Sequence, residues 1–438
     1  MKISVFQGVF IGGFVVIALI GLYVFATYTN SGGAGAIGTV TIWGTLPKAQ
    51  FQEGLLESTK AENALKGVTY VEIPQATLPA DLAAAIATGK APDLVLASQE
   101  DILSLASFIE PIPLGTLSAR TFADTFADES ALFTAPSGTG YYGIPLLIDP
   151  LVLFYNRSIL SSSGIASPPA TWEALTGLVP HVATFTTTRQ VTRAFIALGT
   201  YDNVRNARGI LSALFLQTGV PLITRDEATG LVSADLGLTN ESATGVAPGS
   251  AVVRFYTQFA DSSKVSYTWN ASLPDSQRAF GTGDLALYLG YASEARFLQE
   301  AHPNLDFDVA PLPQPSTAAH KATYGLAYAL MMPRGAANRT GSYKAALLLA
   351  STPAELALAR ATGLAPATRS ALAAPTPADP IAALAASSAL YARGWLSPVP
   401  GQTDRVFSAM ISDVISGREV LESALSTAER SLGALLSR

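Results

Sequence analysis

Gly140–Leu160 reads GYYGIPLLIDPLVLFYNRSIL, and the single charge before Arg157 in this stretch, Asp149, marks the place around which the chain is organised. A turn at Tyr141-Tyr142-Gly143 leads into an apolar run that is broken once, at Ile148-Asp149-Pro150. Val152–Tyr155 then reads as a β-branched and aromatic strand, and Asn156 stands as the N-cap of a helix starting at Arg157. An aspartate between two apolar strands is expensive to bury without a partner. Two readings stand open: a polar crossing between two subdomains, or a hinge residue that faces a cleft.

What lies upstream favours a parallel sheet. Thr39–Trp43 is a short strand, and Lys48–Leu65 carries Phe51, Leu55, Leu56 and Leu65 at roughly helical spacing, with Gly67 as its stop. Val68–Ile73 is a second strand, Pro79–Thr88 a second helix stopped by Gly89, and Asp93–Ala97 a third strand. Strand–helix–strand–helix–strand at this spacing predicts a doubly wound sheet, whose ligands collect beyond the carboxyl ends of the strands. That rule points to Trp43-Gly44-Thr45 and Ser98-Gln99-Glu100, with Trp43 equally readable as a core aromatic.

Downstream, Thr171 is a fitting N-cap with Glu173 in the first turn of its helix, and Trp172 reads as a packing residue. Ala194–Gly199 is a strand leading to the polar turn Thr200–Asn203, and Asn206–Gln217 is helical. Leu285–Leu289 is a buried strand that leaves through Gly290-Tyr291, which puts an aromatic just past a strand end. Phe307–Pro315 is a strand running into a proline-rich loop, and Tyr324–Met332 is another strand. From Ala354 the chain is alanine-rich and helical.

Composition narrows the classes. A chain of 438 residues is too long for one core, so at least two lobes are expected. A net charge of −6 without a basic stripe argues against nucleic-acid binding. The absence of cysteine removes disulfides, thiolate metal sites and a lipidated anchor, and three histidines with no ligand-pair spacing argue against a zinc site; no cofactor is expected. Ile3–Ala26 is an apolar run of about 24 residues, long enough to cross a bilayer. An uncleaved transmembrane anchor is expected, with Lys2 cytoplasmic and the folded part extracytoplasmic; a signal cleaved near Ala34-Gly35-Ala36 is the alternative. Asn30–Gly38 is an uncharged tether.

Several stretches together resemble the extracellular solute-binding proteins of ABC importers, the maltose-binding type in particular. They are GYYGIPLLIDPLVLFYNRSIL, SPPATWEAL, AFGTGDLALYLGY, FDVAPLPQP, ATGLAPATRSAL and ISGREVLESAL, in family order from about Thr39 to Leu436. The resemblance implies an α/β, periplasmic-binding-protein-like (type II) two-lobed fold with hinge crossovers, following the N-terminal transmembrane helix. The expected division is a membrane segment at 1–28, a linker at 29–38, lobe 1 at 39–150 with about 305–345 returning to it, and lobe 2 at 151–304 with about 346–438.

By that resemblance, Asp149, Tyr291 and Phe407 occupy ligand-contacting places, Phe407 for stacking only, and the turn Tyr201–Asn203 is another contacting loop. A sugar offers hydroxyls to carboxylates and amides and an apolar face to aromatic rings. Asp149, Glu100 and Asn203 suit the first role, and Trp43, Tyr291, Tyr324 and Trp395 the second; Thr45, Ser98, Tyr201 and Gly325 complete the candidate set. Ala97 and Ser98 replace the bulky contacts of a maltose site, so maltose specificity does not carry over. The expected role is the binding subunit of an importer for a sugar or oligosaccharide, a monomer that docks on membrane permease subunits. A solute sensor for a signalling partner is the alternative. A glycoside hydrolase using Asp149 and Glu100 is a third reading, and neither a Gly-x-Ser-x-Gly elbow nor a metal motif accompanies it.

Overall fold

The computed structural model describes residues 37–226, 231–238 and 245–437. The apolar N-terminal run, and with it the expected anchor, lies outside the described residues; among those described, no helix is long and apolar enough to cross a membrane.

The stretch around Asp149 forms one uninterrupted strand, Gly143–Asn156, rather than two. All but Tyr155 of its residues are buried, and it joins the two halves of one eleven-stranded sheet. Its first half, Gly143–Pro150, pairs antiparallel with Thr323–Met331. Its second half, Leu151–Tyr155, pairs with Leu285–Tyr291, while Leu153–Asn156 pairs on the other side with Phe307–Ala310. Pro150 cannot donate to a ladder, which confines proline to places where none is required. Here it sits where one set of neighbours hands over to the next, so the missing N–H interrupts nothing. Asn156 caps the following helix as its sequence predicts, its Oδ1 accepting from the Ile159 N–H at 3.0 Å.

The first lobe follows the expected winding. Strands β1 (Val40–Gly44), β2 (Val68–Glu72) and β3 (Leu94–Ser98) are parallel, in the order β2-β1-β3, with Thr323–Met331 inserted between β3 and the shared strand. Helices Lys48–Ala61 and Leu78–Ala87 connect the strands, and Gly89 stops the second with φ +68°. The second lobe builds its part of the sheet on the other half of the shared strand, adding Leu285–Tyr291 and then Val191–Ile196.

Two expected boundaries move. Phe307–Ala310, expected with lobe 1, pairs in the lobe 2 half of the sheet. The helix Thr352–Thr362, expected with lobe 2, packs instead on Lys48–Ala61 in lobe 1, where Ala354 and Leu358 join the core formed by Phe51 and Leu55. Gly54 makes that approach possible, since a Cβ there would lie 2.8 Å from the Leu358 Cα. The last helices, Pro400–Ser416 and Leu421–Leu436, pack on each other and on Pro248–Thr257.

Phe154, fully buried in the second half of the shared strand, meets the rings of Phe280, Tyr288 and Phe307 at centroid distances of 6.4, 5.8 and 5.9 Å. Phe154→Ala is expected to lower the stability by about 3–5 kcal/mol, measured by chemical unfolding; a loss under about 1 kcal/mol would contradict this packing.

Candidate functional site

A cleft of about 490 Å³ lies between the lobes, lined by Gln75, Ser98, Glu100, Leu326 and Tyr328 from one side. The opposite wall is Tyr201, Asp202, Val204, the segment 206–209 and Asp404, with Tyr291 at the end of its strand. A larger surface depression of about 630 Å³ lies at Arg157 and Asp306. Its ion pair is 3.6 Å long with both side chains more than half exposed, and no buried polar groups converge on it.

Local chemistry aims each wall. After β3, Ser98 and Asp101 form a capping box: the Ser98 hydroxyl donates to Asp101 Oδ2 at 2.9 Å, and the Ser98 N–H to the same oxygen at 3.3 Å. The tight turn Gln99–Asp101 carries Glu100 into the interlobe space. Burial pushes the Asp101 carboxyl up to about 6, against the hydrogen bonds from Gln75 and Ser98 that lower it. On the facing lobe, Asn203 organises the loop. Its Nδ2 donates to the carbonyls of Asn270 and Leu273 at 2.9 and 3.0 Å, and its Oδ1 accepts from Thr200 and Trp269. Asn206 then takes a left-handed conformation, φ +61°, and starts the helix Ala207–Gln217. Gly209 in its first turn lets Tyr291 close on the helix, because a Cβ there would meet the Tyr291 hydroxyl at 2.6 Å.

Arg208 ties the walls together. Its Nη2 donates to Glu100 Oε2 at 2.6 Å, and its Nη1 donates to Asp404 Oδ2 at 2.9 Å and to the Pro400 carbonyl at 2.8 Å. The Tyr324 hydroxyl donates to the other Glu100 oxygen, and the Tyr201 hydroxyl to Asp404 Oδ1 at 2.7 Å. Burial pulls the guanidinium down, but attraction from Glu100 and then Asp404 outweighs it and raises the net value above the ordinary one. The Glu100 side chain is only 2% exposed, so this pair spans the lobes in a nearly dry setting.

Of the sequence-predicted residues, the cleft brings together Ser98, Glu100, Tyr201 and Tyr291. Asp149 does not line it. It is buried at the crossing, where the Ser293 N–H and hydroxyl donate to its two oxygens at 3.1 and 2.6 Å. The polar-crossing reading therefore describes its setting, and the partner that its burial demands is Ser293. Tyr324 is fully buried behind Glu100, and Gly325 pairs with Pro150 inside the sheet. Trp395 is core, with its Nε1 donating to Ser212 at 2.9 Å, and Phe407 is core beside it at 6.2 Å. Asn203 supports the loop rather than lining the cleft, and Trp43 and Thr45 are half-buried outside it. Trp172 is buried and donates to Gln217 at 2.7 Å, the packing role read for it.

Sequence reasoning missed Arg208, Asp404 and Tyr328. One local signal did exist for Arg208. A cation in the first turn of a helix opposes the helix dipole, so its presence there asks for an external partner.

The chain matches the family model of the bacterial extracellular solute-binding proteins over residues 55–385, and it belongs to that family. Comparison with the curated proteins by sequence finds no match. Among solved structures, the cyclic α-maltosyl-1,6-maltose binding protein of Arthrobacter globiformis is similar with a TM-score of 0.73 at 17% identity, over 91% of this chain and 98% of that one. The sugar-binding protein MalE of the phytopathogen Xanthomonas citri gives 0.70 at 19%, over 91% and 97%. A cyclo/maltodextrin-binding protein complexed with maltotetraose gives 0.69 at 16%, over 92% and 97%. At these identities the likeness establishes the two-lobed fold.

Two outcomes follow from the charges. Arg208→Met leaves the nearly buried Glu100 without its counter-ion and is expected to cost about 3–5 kcal/mol in chemical unfolding. Adding Glu100→Gln is expected to recover part of that loss, and strict additivity would show that the two groups do not interact. For Asp149, burial first, opposed by the Ser293 hydrogen bonds, raises the carboxyl from 3.8 to about 7. Between those values the folded state keeps a proton that the unfolded state has released, so this group makes stability fall as pH rises. Asp149→Asn is therefore expected to gain stability relative to the parent between about pH 4 and pH 8, by at most about 4 kcal/mol. A pH-independent difference in thermal unfolding would refute the assignment.

Proposed function

We propose that this chain is the extracytoplasmic substrate-binding subunit of an ABC importer and that it takes a sugar or oligosaccharide in the interlobe cleft. The observation that carries the reading is that carboxylate, guanidinium and phenol groups from both lobes converge on one cavity beside the shared strand. A ligand that touches both lobes favours the closed arrangement over the open one, which is how hinge-closing binding proteins work. The sugars named for the structural relatives support the ligand class. Ser98, Glu100, Tyr201 and Tyr291 are proposed as ligand contacts, joined by Tyr328, Arg208 and Asp404. The closed form docks on permease subunits, and the apolar segment at residues 3–26 tethers the domain to the membrane. The chain works as a monomer and carries out no reaction.

Thermal unfolding of the full chain against malto-, cello- and manno-oligosaccharides, with amino acids and polyamines as controls, tests this. A ligand at about 100 times its dissociation constant adds roughly 2.7 kcal/mol, a shift of about 3 °C for a chain of this size. The expected result is a shift with one saccharide class that is reduced in Tyr291→Ala. A shift with amino acids or polyamines alone would overturn the saccharide reading.

A further inference from the structure

We infer that the cleft selects its saccharide by charge, taking an amine-bearing sugar in preference to the neutral counterpart and excluding the anionic one; the inference rests on the saccharide reading above. The residues that line the cleft include three carboxylates, Glu100, Asp202 and Asp404, against one guanidinium, Arg208. That guanidinium is already committed to Glu100, Asp404 and the Pro400 carbonyl. Its charge is already shared by two carboxylates, so an anionic ligand at its remaining N–H groups would be held beside Glu100, whose side chain is 2% exposed, and beside Asp404, with no further cation lining the cleft.

Asp202 supplies the uncompensated charge. It accepts a hydrogen bond from the Ser408 hydroxyl at 2.8 Å, a neutral donor, and forms no ion pair among the described residues. The neighbouring cations Arg205 and Arg405 are exposed and do not line the cleft. The buried carboxyl of Asp101 lies directly behind the same wall, so it can only add negative potential.

Tyr291 and Tyr328 line the cleft, and no hydrogen bond is made by either hydroxyl among the described residues. Burial holds both phenols well above their ordinary values, so they stay neutral while offering a lone pair and a ring face. An ammonium group is the ligand feature that satisfies a lone pair, a ring face and an unpaired carboxylate together. A neutral sugar can donate its hydroxyls to the same groups and lay its C–H face on a ring, but only the ammonium adds a charge that pairs with the carboxylates, and a carboxylate or phosphate is repelled by the wall.

Titration calorimetry of the full chain with matched trisaccharides tests the ranking. Cellotriose, its 2-amino counterpart and its uronate counterpart form one series, and the same three chemistries on the α-1,4 backbone form another. The amine form is expected to bind about tenfold tighter than the neutral form, and the uronate about tenfold weaker or more. The spread is expected to narrow between about 20 mM and 500 mM salt as the charges are screened. Asp202→Asn, a change at an exposed side chain, is expected to cut the amine preference by about threefold or more with its melting temperature unchanged. Equal binding of all three forms, or a preference for the uronate, overturns the charge selection and leaves the saccharide reading standing. Failure of every member of both series overturns the saccharide reading along with it.

Discussion

A strand shared by the two halves of a sheet fixes how those halves lie. Gly143–Asn156 gives its first half to one lobe and its second half to the other, and its backbone hydrogen bonds continue through the change of partners. Every buried backbone group must find a partner, so register errors in one half would be transmitted to the other. Proline at position 150 is compatible with this only because the handover falls there. Asp149 is held beside it by Ser293, which ties the start of the helix Glu294–Ala301 to the crossing. The cleft inherits its geometry from this seam.

Charge is distributed unevenly around that seam. Asp149 is buried with neutral donors and keeps its proton into the neutral range, whereas Glu100 is buried with a cation. The difference follows from the partners: a hydroxyl and an N–H offset part of a carboxylate's desolvation, and a guanidinium on a carboxylate offsets more of it. A buried ion pair of this kind is a weak source of net stability, but it imposes one relative arrangement on the groups that make it. Arg208 thus acts on the placement of both cleft walls through Glu100 and Asp404.

Much of the fold was legible because it is encoded locally. The strand–helix alternation of residues 40–98, the caps Asn156 and Thr171, and the stop at Gly89 each depend on neighbours within a few positions. Ser98, Glu100 and Tyr291 were legible as cleft residues because the rule about strand ends in parallel sheets is geometric. The rest was hidden for physical reasons. Arg208 and Asp404 are 196 positions apart, and nothing local reports their contact. Trp395 and Phe407 are aromatic residues with a sheltered role, and aromatic character does not distinguish a core from a binding wall. The helix Thr352–Thr362 has the composition of any alanine-rich helix, so the lobe it joins depends on Gly54, far upstream, leaving room for it.

The insertion of Thr323–Met331 between β3 and the shared strand also governs how the chain must be made. A ribosome that has released residues 40–156 has released β1, β2, β3 and the shared strand, yet β3 and the shared strand cannot be joined, because the strand that lies between them is still to come. The helix that completes the first core ends at Thr362. At about 5–20 residues per second, the earliest strands therefore wait on the order of ten seconds or more before their sheet can close. Throughout that interval the facing edges of β3 and Gly143–Asn156 have no strand to pair with.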